Sequence, residues 1–257
     1  MNQHPDLAIQ LHSLRDLGDP PIVFAAAAAA GFQLVEPVGL HLMNPEATAA
    51  QLAAHGLTAP TCHIQMERLR ENLDGIAAAC RAIGTRHLFV PAVPPEERDA
   101  PPAHWPGIGR ELAAMARRLA DHGIVFGYHN HYEVSIEDGE RTALDMIFEE
   151  STGSPLVWQA DVAWLFRCGR DPATLLDRYR DRLVSVHVKD RLVPPLPDDA
   201  EDNWRVAGQG GLRWPVLWRH CKDLGAGLMV MEHDRPRDPA AFARDAFAAG
   251  TLLGGIA

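Results

Sequence analysis

Residues 123–133 read GIVFGYHNHYE, an apolar run that leads straight into two histidines and a glutamate. In an extended chain alternate residues share a face, which would place His129, His131 and Glu133 together. Three ionisable groups on one side of a strand end are costly to bury without partners. The stretch therefore predicts either a site for a metal ion or a polar substrate, or a solvated strand end.

The composition is that of an acidic globular protein with reduced thiols. The 257 residues carry a formal net charge of −10 and are 47% hydrophobic, which suits one domain over residues 1–257. The negative charge argues against a surface for nucleic acid or for an anionic membrane. Four widely spaced cysteines form no CxxC pair, and the first ten residues lack a signal-peptide pattern. We therefore expect a cytoplasmic protein, with a homo-oligomer left open.

Eight apolar, strand-like runs alternate with helical patterns along the chain. Strict strand–helix alternation predicts a parallel sheet, and eight units in about 250 residues is the size of a closed (β/α)8 TIM barrel. An open doubly wound sheet competes, but no GxGxxG motif follows the first run. We predict the α/β class and a single TIM barrel. The runs are Leu7–Leu11, Phe32–Val35, Leu57–Cys62, His87–Val90, Gly123–Tyr128, Leu156–Ala160, Leu183–Val188 and Gly227–Met231.

Polar side chains suited to metal and proton chemistry follow most of these runs. In a parallel barrel the carboxyl ends of all strands lie on one rim, where barrel enzymes build their active sites. Imidazole and carboxylate together suit a divalent ion such as Mn²⁺, Co²⁺, Zn²⁺, Fe²⁺ or Mg²⁺. The residues are His12, Glu36, His63, His129, His131, Glu133, Asp161, His187, Lys189, Glu232 and Asp234.

Single members of this set have simpler interpretations. Asp161 could cap a turn that follows it, Glu36 could pair with Arg15, and His187, between two valines, could be a core histidine. However, Lys189 shares the strand face of His187, and a strand that carries both inward is hard to explain by packing. The prediction of a site therefore depends on the whole set rather than on any one residue.

A divalent ion beside carboxylates supports proton transfer at carbon. The ion holds substrate oxygens and lowers the pKa of the carbon acid next to a carbonyl, and a carboxylate or imidazole removes the proton. Return of the proton to the same or a neighbouring carbon gives epimerisation or isomerisation. Loss of a β-hydroxyl gives dehydration instead, so an isomerase and a lyase both fit the residues.

Several motifs resemble those of the sugar phosphate isomerase/epimerase family, the xylose isomerase-like TIM barrels that also include inosose dehydratases and the endonuclease IV group. They occur in family order and cover nearly the whole chain. They are QLHSLRD (10–16), GFQLVEPVG (31–39), GYHNHYEVS (127–135), DVAWL (161–165), SVHVKDR (185–191) and VMEHDRP (230–236). The resemblance implies one divalent metal ion, with Mn²⁺ placed first, and a sugar, keto-sugar or polyol as substrate.

The resemblance also implies a role for each residue. The metal ligands would be His129, Asp161, His187 and Glu232. The family often has glutamate at the first of these positions, so His131 or Glu133 could take the place of His129. Acid–base roles would belong to Glu232 and Glu133, and Lys189 would bind a substrate oxygen or steady an enolate. Substrate contacts are expected from His12, Glu36, His63, His131 and Lys189.

The leading hypothesis is a metal-dependent isomerase or epimerase, and the nearest alternative is a lyase of the inosose dehydratase or 3-keto-sugar type. An endonuclease-like hydrolase fits poorly, because a DNA track is basic and this chain is acidic. A sugar-binding barrel without chemistry would not need the ligand set.

Overall fold

The computed structural model describes residues 6–255 and contains a parallel sheet of eight strands. The strands, numbered here along the barrel, are β1 (Leu7–Gln10), β2 (Leu34–Glu36), β3 (Thr61–His63), β4 (His87–Val90), β5 (Val125–His129), β6 (Val157–Asp161), β7 (Leu183–Val188) and β8 (Leu228–Met231). Their order in the sheet is β2-β1-β8-β7-β6-β5-β4-β3. All eight predicted runs therefore form strands of one sheet.

Strands β2 and β3, at the two ends of this order, approach each other and nearly close the sheet into a barrel. Leu34 pairs with Thr58 in a parallel bridge. The N–H of Thr58 donates to the carbonyl of Gln33, and the carbonyl of Thr58 accepts from the N–H of Val35, both at 2.9 Å. The predicted TIM barrel is confirmed. The prediction of one domain over residues 1–257 includes residues outside the described range and stays a prediction.

Helices connect the strands and cover the sheet. Helix α1 begins at the Pro20-Pro21 pair and is followed by Gly31, whose φ of 109° is in the left-handed region that favours glycine. Within the described residues the α-helices are α1 (Pro20–Ala30), α2 (Gly39–Leu42), α3 (Pro45–His55), α4 (Met66–Ile83), α5 (Trp105–Asp121), α6 (Ala143–Glu150), α7 (Val162–Arg167), α8 (Pro172–Arg178), α9 (Trp214–Asp223) and α10 (Pro239–Leu253).

Gly127 lets β5 sit close to its neighbours. A Cβ atom at this position would lie 2.6 Å from the ring of Phe89 in β4 and 2.8 Å from the carbonyl oxygen of Val157 in β6. Any larger residue would push β5 away from both strands. The glycine therefore fixes the strand that carries His129 two residues later.

The chain leaves the sheet immediately after His129. Beyond this point the side chain of Asn130, and not the backbone, makes the hydrogen bonds to β6. Its Oδ1 accepts from the N–H of Asp161 and from Nε1 of Trp158, both at 3.0 Å. Its Nδ2 donates to the carbonyl of Asp161 at 3.1 Å. Residues Tyr132–Ser135 then form a short 3₁₀ turn. The prediction that one strand face carries His129, His131 and Glu133 is therefore wrong, because the strand ends at His129, although the ring centroids of His129 and His131 lie 4.7 Å apart.

Two long loops, after β4 and β7, lie on the carboxyl side of the strands. Residues 92–104 contain short 3₁₀ turns at Pro95–Glu97 and Pro102–His104. In the loop after β7, Asp190–Arg191 pairs antiparallel with Trp204–Arg205. Among residues 6–255, none of the helices has the length and apolar character needed to cross a membrane.

Candidate metal and substrate site

Four barrel strands bring the predicted metal ligands together. His129 and Asp161 are the last residues of β5 and β6, His187 lies in β7, and Glu232 directly follows β8. Each offers one donor atom, these atoms lie within 4.8 Å of one another, and all four residues are buried. Donor atoms of His63, at the end of β3, also lie within this distance of His129 and His187. The rim thus holds nitrogen and oxygen donors of the type that binds divalent ions.

An unprotonated nitrogen of His129 faces a carboxylate oxygen of Asp161. Nδ1 of His129 lies 3.0 Å from Oε1 of Gln159, an acceptor, so this nitrogen carries the ring proton. Nε2 of His129 is buried without a hydrogen-bond partner, 3.6 Å from Oδ2 of Asp161. Burial and the nearby His187 and His63 hold the pKa of His129 well below its usual value. A cation at this position would satisfy Nε2 of His129 and would add a second positive partner to Oδ2 of Asp161, which lies 2.7 Å from Nζ of Lys189, so the pair fits a metal ligand set.

Asp161 also caps a helix with its other oxygen. Oδ1 accepts a hydrogen bond from the N–H of Trp164 at 2.9 Å and caps α7. The capping interpretation and the ligand interpretation of Asp161 are therefore compatible, because each uses a different oxygen.

His187 lies between two carboxylates. Its Nδ1 is 2.7 Å from Oε2 of Glu232, and its Nε2 is 2.6 Å from Oε1 of Glu36. Burial alone would lower the pKa of His187, but Glu232 and Glu36 raise it to about 10. The pKa of Glu232 is held well below its usual range by Lys189 and His187 against the effect of burial. His187 is therefore paired with two carboxylates of the rim, and its role as a metal ligand stays a prediction.

Lys189 is a fully buried cation behind Glu232. Its Nζ lies 2.7 Å from Oδ2 of Asp161 and 2.7 Å from Oε2 of Glu232, and it also contacts Oδ1 of Asp234. The Trp204 ring lies 5.0 Å from Nζ and closes the other side. Burial would lower the pKa of Lys189, but the three carboxylates raise it above its usual value. Lys189 therefore stays charged and offsets part of the negative charge of the site.

Glu36 and two glutamines form a second layer beneath the ligands. Glu36 Oε1 accepts from Nε2 of Gln10 and Oε2 accepts from Nε2 of Gln159, both at 2.8 Å. His63 Nε2 lies 2.5 Å from Oε1 of Gln159 and 3.1 Å from Oε1 of Glu36. Burial opposes the charge on Glu36, but His63 and His187 keep its pKa well below the usual value. Glu36 does not pair with Arg15, which binds the carbonyls of His12 and Asp234.

Gln10 and Gln159 were missed in the sequence because glutamine is not a chemically reactive residue. Gln159 lies two residues before Asp161 in β6, and alternate strand residues share a face. That spacing was the available signal for Gln159. Gln10 ends β1, as the other site residues end their strands.

A cavity of about 630 Å³ opens over Glu232 and His63. Its polar wall includes the predicted substrate residues His12, His63 and His131, together with Arg15 and Arg98. Glu36 and Lys189 do not line it, so their direct contact with a substrate stays a prediction. The other wall is apolar and contains Leu11, Val23, Val38, Leu40 and Ile64.

His131 and Glu133 lie side by side but face different surroundings. The Nδ1 of His131 contacts the carbonyl oxygen of Pro91, so this nitrogen donates and Nε2 is the acceptor. Burial lowers the pKa of His131 to about 3. Both oxygens of Glu133 accept from the N–H of His131, at 2.9 and 3.0 Å, and Glu133 does not line the cavity. Burial raises the pKa of Glu133 to about 7.

The match to a family model covers most of this site. The model for the xylose isomerase-like TIM barrel matches residues 24–249. The chain belongs to this family.

Two curated relatives match part of this xylose isomerase-like chain. MocC, a rhizopine catabolism protein of Rhizobium meliloti, is 26% identical over 148 residues, which are 53% of this chain and 45% of that protein. An inosose dehydratase of Lacticaseibacillus casei is 22% identical over 148 residues, 53% of this chain and 48% of that protein. The matches span about half the length of these relatives.

Solved structures of xylose isomerase-like barrels share the fold. A sugar phosphate isomerase/epimerase from Parabacteroides distasonis has a TM-score of 0.78 at 16% identity, over 97% of this chain and 94% of that chain. The 3-keto-D-glucoside 4-epimerase YcjR of E. coli has a TM-score of 0.70 at 19% identity, over 96% and 99%. The protein IOLI, which contains a zinc atom, has a TM-score of 0.74 at 12% identity, over 97% and 96%. At these identities the likeness establishes the fold alone.

Proposed function

We propose that this protein is a divalent-metal-dependent isomerase or epimerase that removes a proton next to the carbonyl of a sugar, keto-sugar or polyol. The observation that carries the proposal is the buried donor cluster of His129, Asp161, His187 and Glu232 beneath a sugar-sized cavity. Nε2 of His129 has no hydrogen-bond partner, although it is fully buried. Such an arrangement is costly unless a cation binds there.

The four clustered residues would hold one divalent ion. Two imidazoles and two carboxylates suit Mn²⁺, which we place first, and also Co²⁺, Zn²⁺ and Fe²⁺, with Mg²⁺ less favoured by nitrogen ligands. When bound, the ion polarises the substrate carbonyl and makes the neighbouring C–H bond more acidic. The zinc atom in IOLI supports this proposal for a relative of the same fold.

Glu232 is the proposed base, because it belongs to the cluster and also lines the cavity. Lys189 and His187 contact its Oε2 and hold this oxygen in place. We propose that Lys189 acts through Glu232, since its ammonium group lies outside the cavity wall. Glu133 would act through His131, whose backbone N–H it binds.

His63 and His131 are the proposed hydrogen-bond acceptors for hydroxyl groups of the substrate. Both line the cavity, and each ring has one nitrogen committed to a protein acceptor. The remaining nitrogen of each ring can accept a hydrogen bond from a substrate hydroxyl. His12, at the same wall, would add a further contact to the substrate.

A lyase is the second candidate, favoured by the relative named inosose dehydratase. Elimination begins with the same proton abstraction and differs only in the loss of a β-hydroxyl. The proton that Glu232 takes from carbon can then pass to the departing hydroxyl, which leaves as water, while the free nitrogen of His131 accepts a hydrogen bond from another substrate hydroxyl. The substrate would be a keto-inositol or a 3-keto-sugar.

Product analysis in D2O separates the two reactions. The protein, supplied with Mn²⁺, is incubated with keto-sugars and keto-inositols. A stereoisomer that carries solvent deuterium at the carbon next to the carbonyl is expected for an epimerase, and an unsaturated or deoxy product for a lyase. If neither kind of product formed from any of these substrates, the proposal would be contradicted.

We further propose that the protein works in the cytoplasm on small molecules. Cys62, Cys80, Cys168 and Cys221 are free thiols, which suits a reducing compartment. The net charge of −10 disfavours nucleic acid and anionic membranes as partners. A homo-oligomer stays a prediction, which analytical ultracentrifugation would test.

A further inference from the structure

We propose that Glu36 and Gln159 are positioning residues that fix which ring nitrogen of His63 and His129 carries a proton. The inference rests on the proposed metal site but on no particular reaction. Both residues are fully buried and belong to neither the cavity wall nor the donor cluster. Their role is read from a chain of hydrogen bonds in which each step determines the next.

The chain starts at Glu36, whose carboxylate can only accept hydrogen bonds. Its Oε2 lies 2.8 Å from the side-chain nitrogen of Gln159, so this nitrogen must donate. Its Oε1 lies 2.6 Å from Nε2 of His187, so that nitrogen must also carry a proton. The other nitrogen of His187, Nδ1, faces a second carboxylate, that of Glu232, at 2.7 Å, so it carries a proton for the same reason.

The orientation of Gln159 determines the other two rings. With its nitrogen turned to Glu36, its Oε1 faces Nδ1 of His129 at 3.0 Å and Nε2 of His63 at 2.5 Å. An amide oxygen is an acceptor, so both of these ring nitrogens are protonated. His129 is left with a lone pair on Nε2, which has no hydrogen-bond partner and lies 3.6 Å from Oδ2 of Asp161.

The result is that His129 directs an unprotonated nitrogen, Nε2, towards the carboxylate of Asp161. A histidine ligates a metal only through an unprotonated nitrogen, and a partner on the other nitrogen fixes that state. Gln159 plays this part for His129, and Glu36 holds Gln159 in the orientation that this requires. An apolar residue of the same size at position 159 would fill the space but leave the ring of His129 free to take the other tautomer.

Three variants test the acceptor role of Gln159. Gln159→Met keeps the size and removes the hydrogen bonds. Gln159→Glu keeps an oxygen for both rings, and its other oxygen must be protonated to donate to Glu36 as the amide does. Thr85→Val is the matched control, because it removes a buried hydrogen bond of 2.7 Å to the carbonyl of Ala59, at the opposite end of the barrel. Histidine tautomers are read from two-bond ¹H–¹⁵N NMR spectra before and after addition of Zn²⁺, and Zn²⁺ affinity is measured by competition with a chelator.

We expect His129 of the wild type to be protonated on Nδ1 with and without Zn²⁺. In Gln159→Met the ring should change to the other tautomer or to a mixture, and Zn²⁺ affinity should fall about 10- to 100-fold, as for loss of a partner of a metal ligand. Gln159→Glu should retain the wild-type tautomer, and Thr85→Val should change neither readout.

Protonation of His129 on Nε2 in the wild type would overturn the inference, as would a wild-type tautomer in Gln159→Met. The tautomer is measured without added metal, so it decides the inference even for a protein that does not bind Zn²⁺. Wild-type protein with the expected tautomers but no turnover of any keto-sugar or keto-inositol would contradict the proposed function and leave this inference standing.

Discussion

Nζ of Lys189 lies 2.7 Å from Oε2 of Glu232, and both side chains are buried at the carboxyl end of the barrel. The same ammonium group contacts Asp161 and Asp234. One buried cation thus faces three carboxylates, two of which belong to the proposed ligand set.

Replacement of Lys189 by methionine should lower the free energy of unfolding by about 3–5 kcal/mol, because it leaves buried carboxylates without their partner. Urea denaturation measures the change. Lys222→Met is the control, since the Lys222–Asp6 ion pair is about one-third exposed and its loss should cost under about 1 kcal/mol. Equal losses in the two variants would contradict the account of Lys189.

The two oxygens of Asp161 should be separable by substitution. Asp161→Asn retains an oxygen that can cap α7, whereas Asp161→Ala removes both the cap and the ligand. Both variants should bind Mn²⁺ more than about 100-fold more weakly than the wild type, because loss of a ligand exceeds loss of a ligand's partner. Only Asp161→Ala should also lose about 0.5–2 kcal/mol from the missing cap. Calorimetric titration and thermal denaturation measure the two effects, and a stable Asp161→Ala protein would argue against the cap.

Glu232→Gln should lower kcat about 10²- to 10⁴-fold at saturating Mn²⁺, because the base that takes the proton is lost. Steady-state kinetics with the substrate found in the D2O experiment measure the effect. Glu71→Gln serves as the control, because this glutamate is exposed on α4 and should leave kcat unchanged. Undiminished turnover by Glu232→Gln would assign the base to another residue.

Glu133 should make the protein less stable as the pH rises. Burial raises its pKa from 4.5 to about 7, so between these values the folded state binds more protons than the unfolded state. Stability therefore decreases with pH across this window, by up to about 3 kcal/mol from this group. Urea denaturation from pH 5 to 8 should show a smaller decrease for Glu133→Gln than for the wild type. Parallel curves would mean that the carboxyl is ionised throughout.

The position of the proposed ligands was predictable from the sequence because a parallel barrel brings all strand carboxyl ends to one rim. The choice of these four among the polar residues of the rim came from the resemblance to the family. His129, Asp161, His187 and Glu232 were each assigned to such an end, and the donor atoms lie within 4.8 Å of one another. The fold follows from eight strand–helix units in the same way, so both inferences depend on spacing along the chain and not on contacts.

The surroundings of these residues were less predictable, because they depend on contacts between distant strands. Asn130 ends β5 through hydrogen bonds to Trp158 and Asp161, and this turns Glu133 away from the face of His129. Nothing in the local sequence indicates that the amide of Asn130 binds across to β6. The direction of Lys189 likewise depends on Asp234, which is 45 residues away in the chain.

The central claim is that His129, Asp161, His187 and Glu232 hold one divalent ion. Its most direct test is equilibrium dialysis of the wild type and Asp161→Asn against Mn²⁺, followed by elemental analysis of the protein. We predict one bound ion per chain in the wild type and none in Asp161→Asn under the same conditions. A wild-type protein that retains no Mn²⁺, Co²⁺, Zn²⁺ or Fe²⁺, or an Asp161→Asn protein that retains a full equivalent, would contradict it.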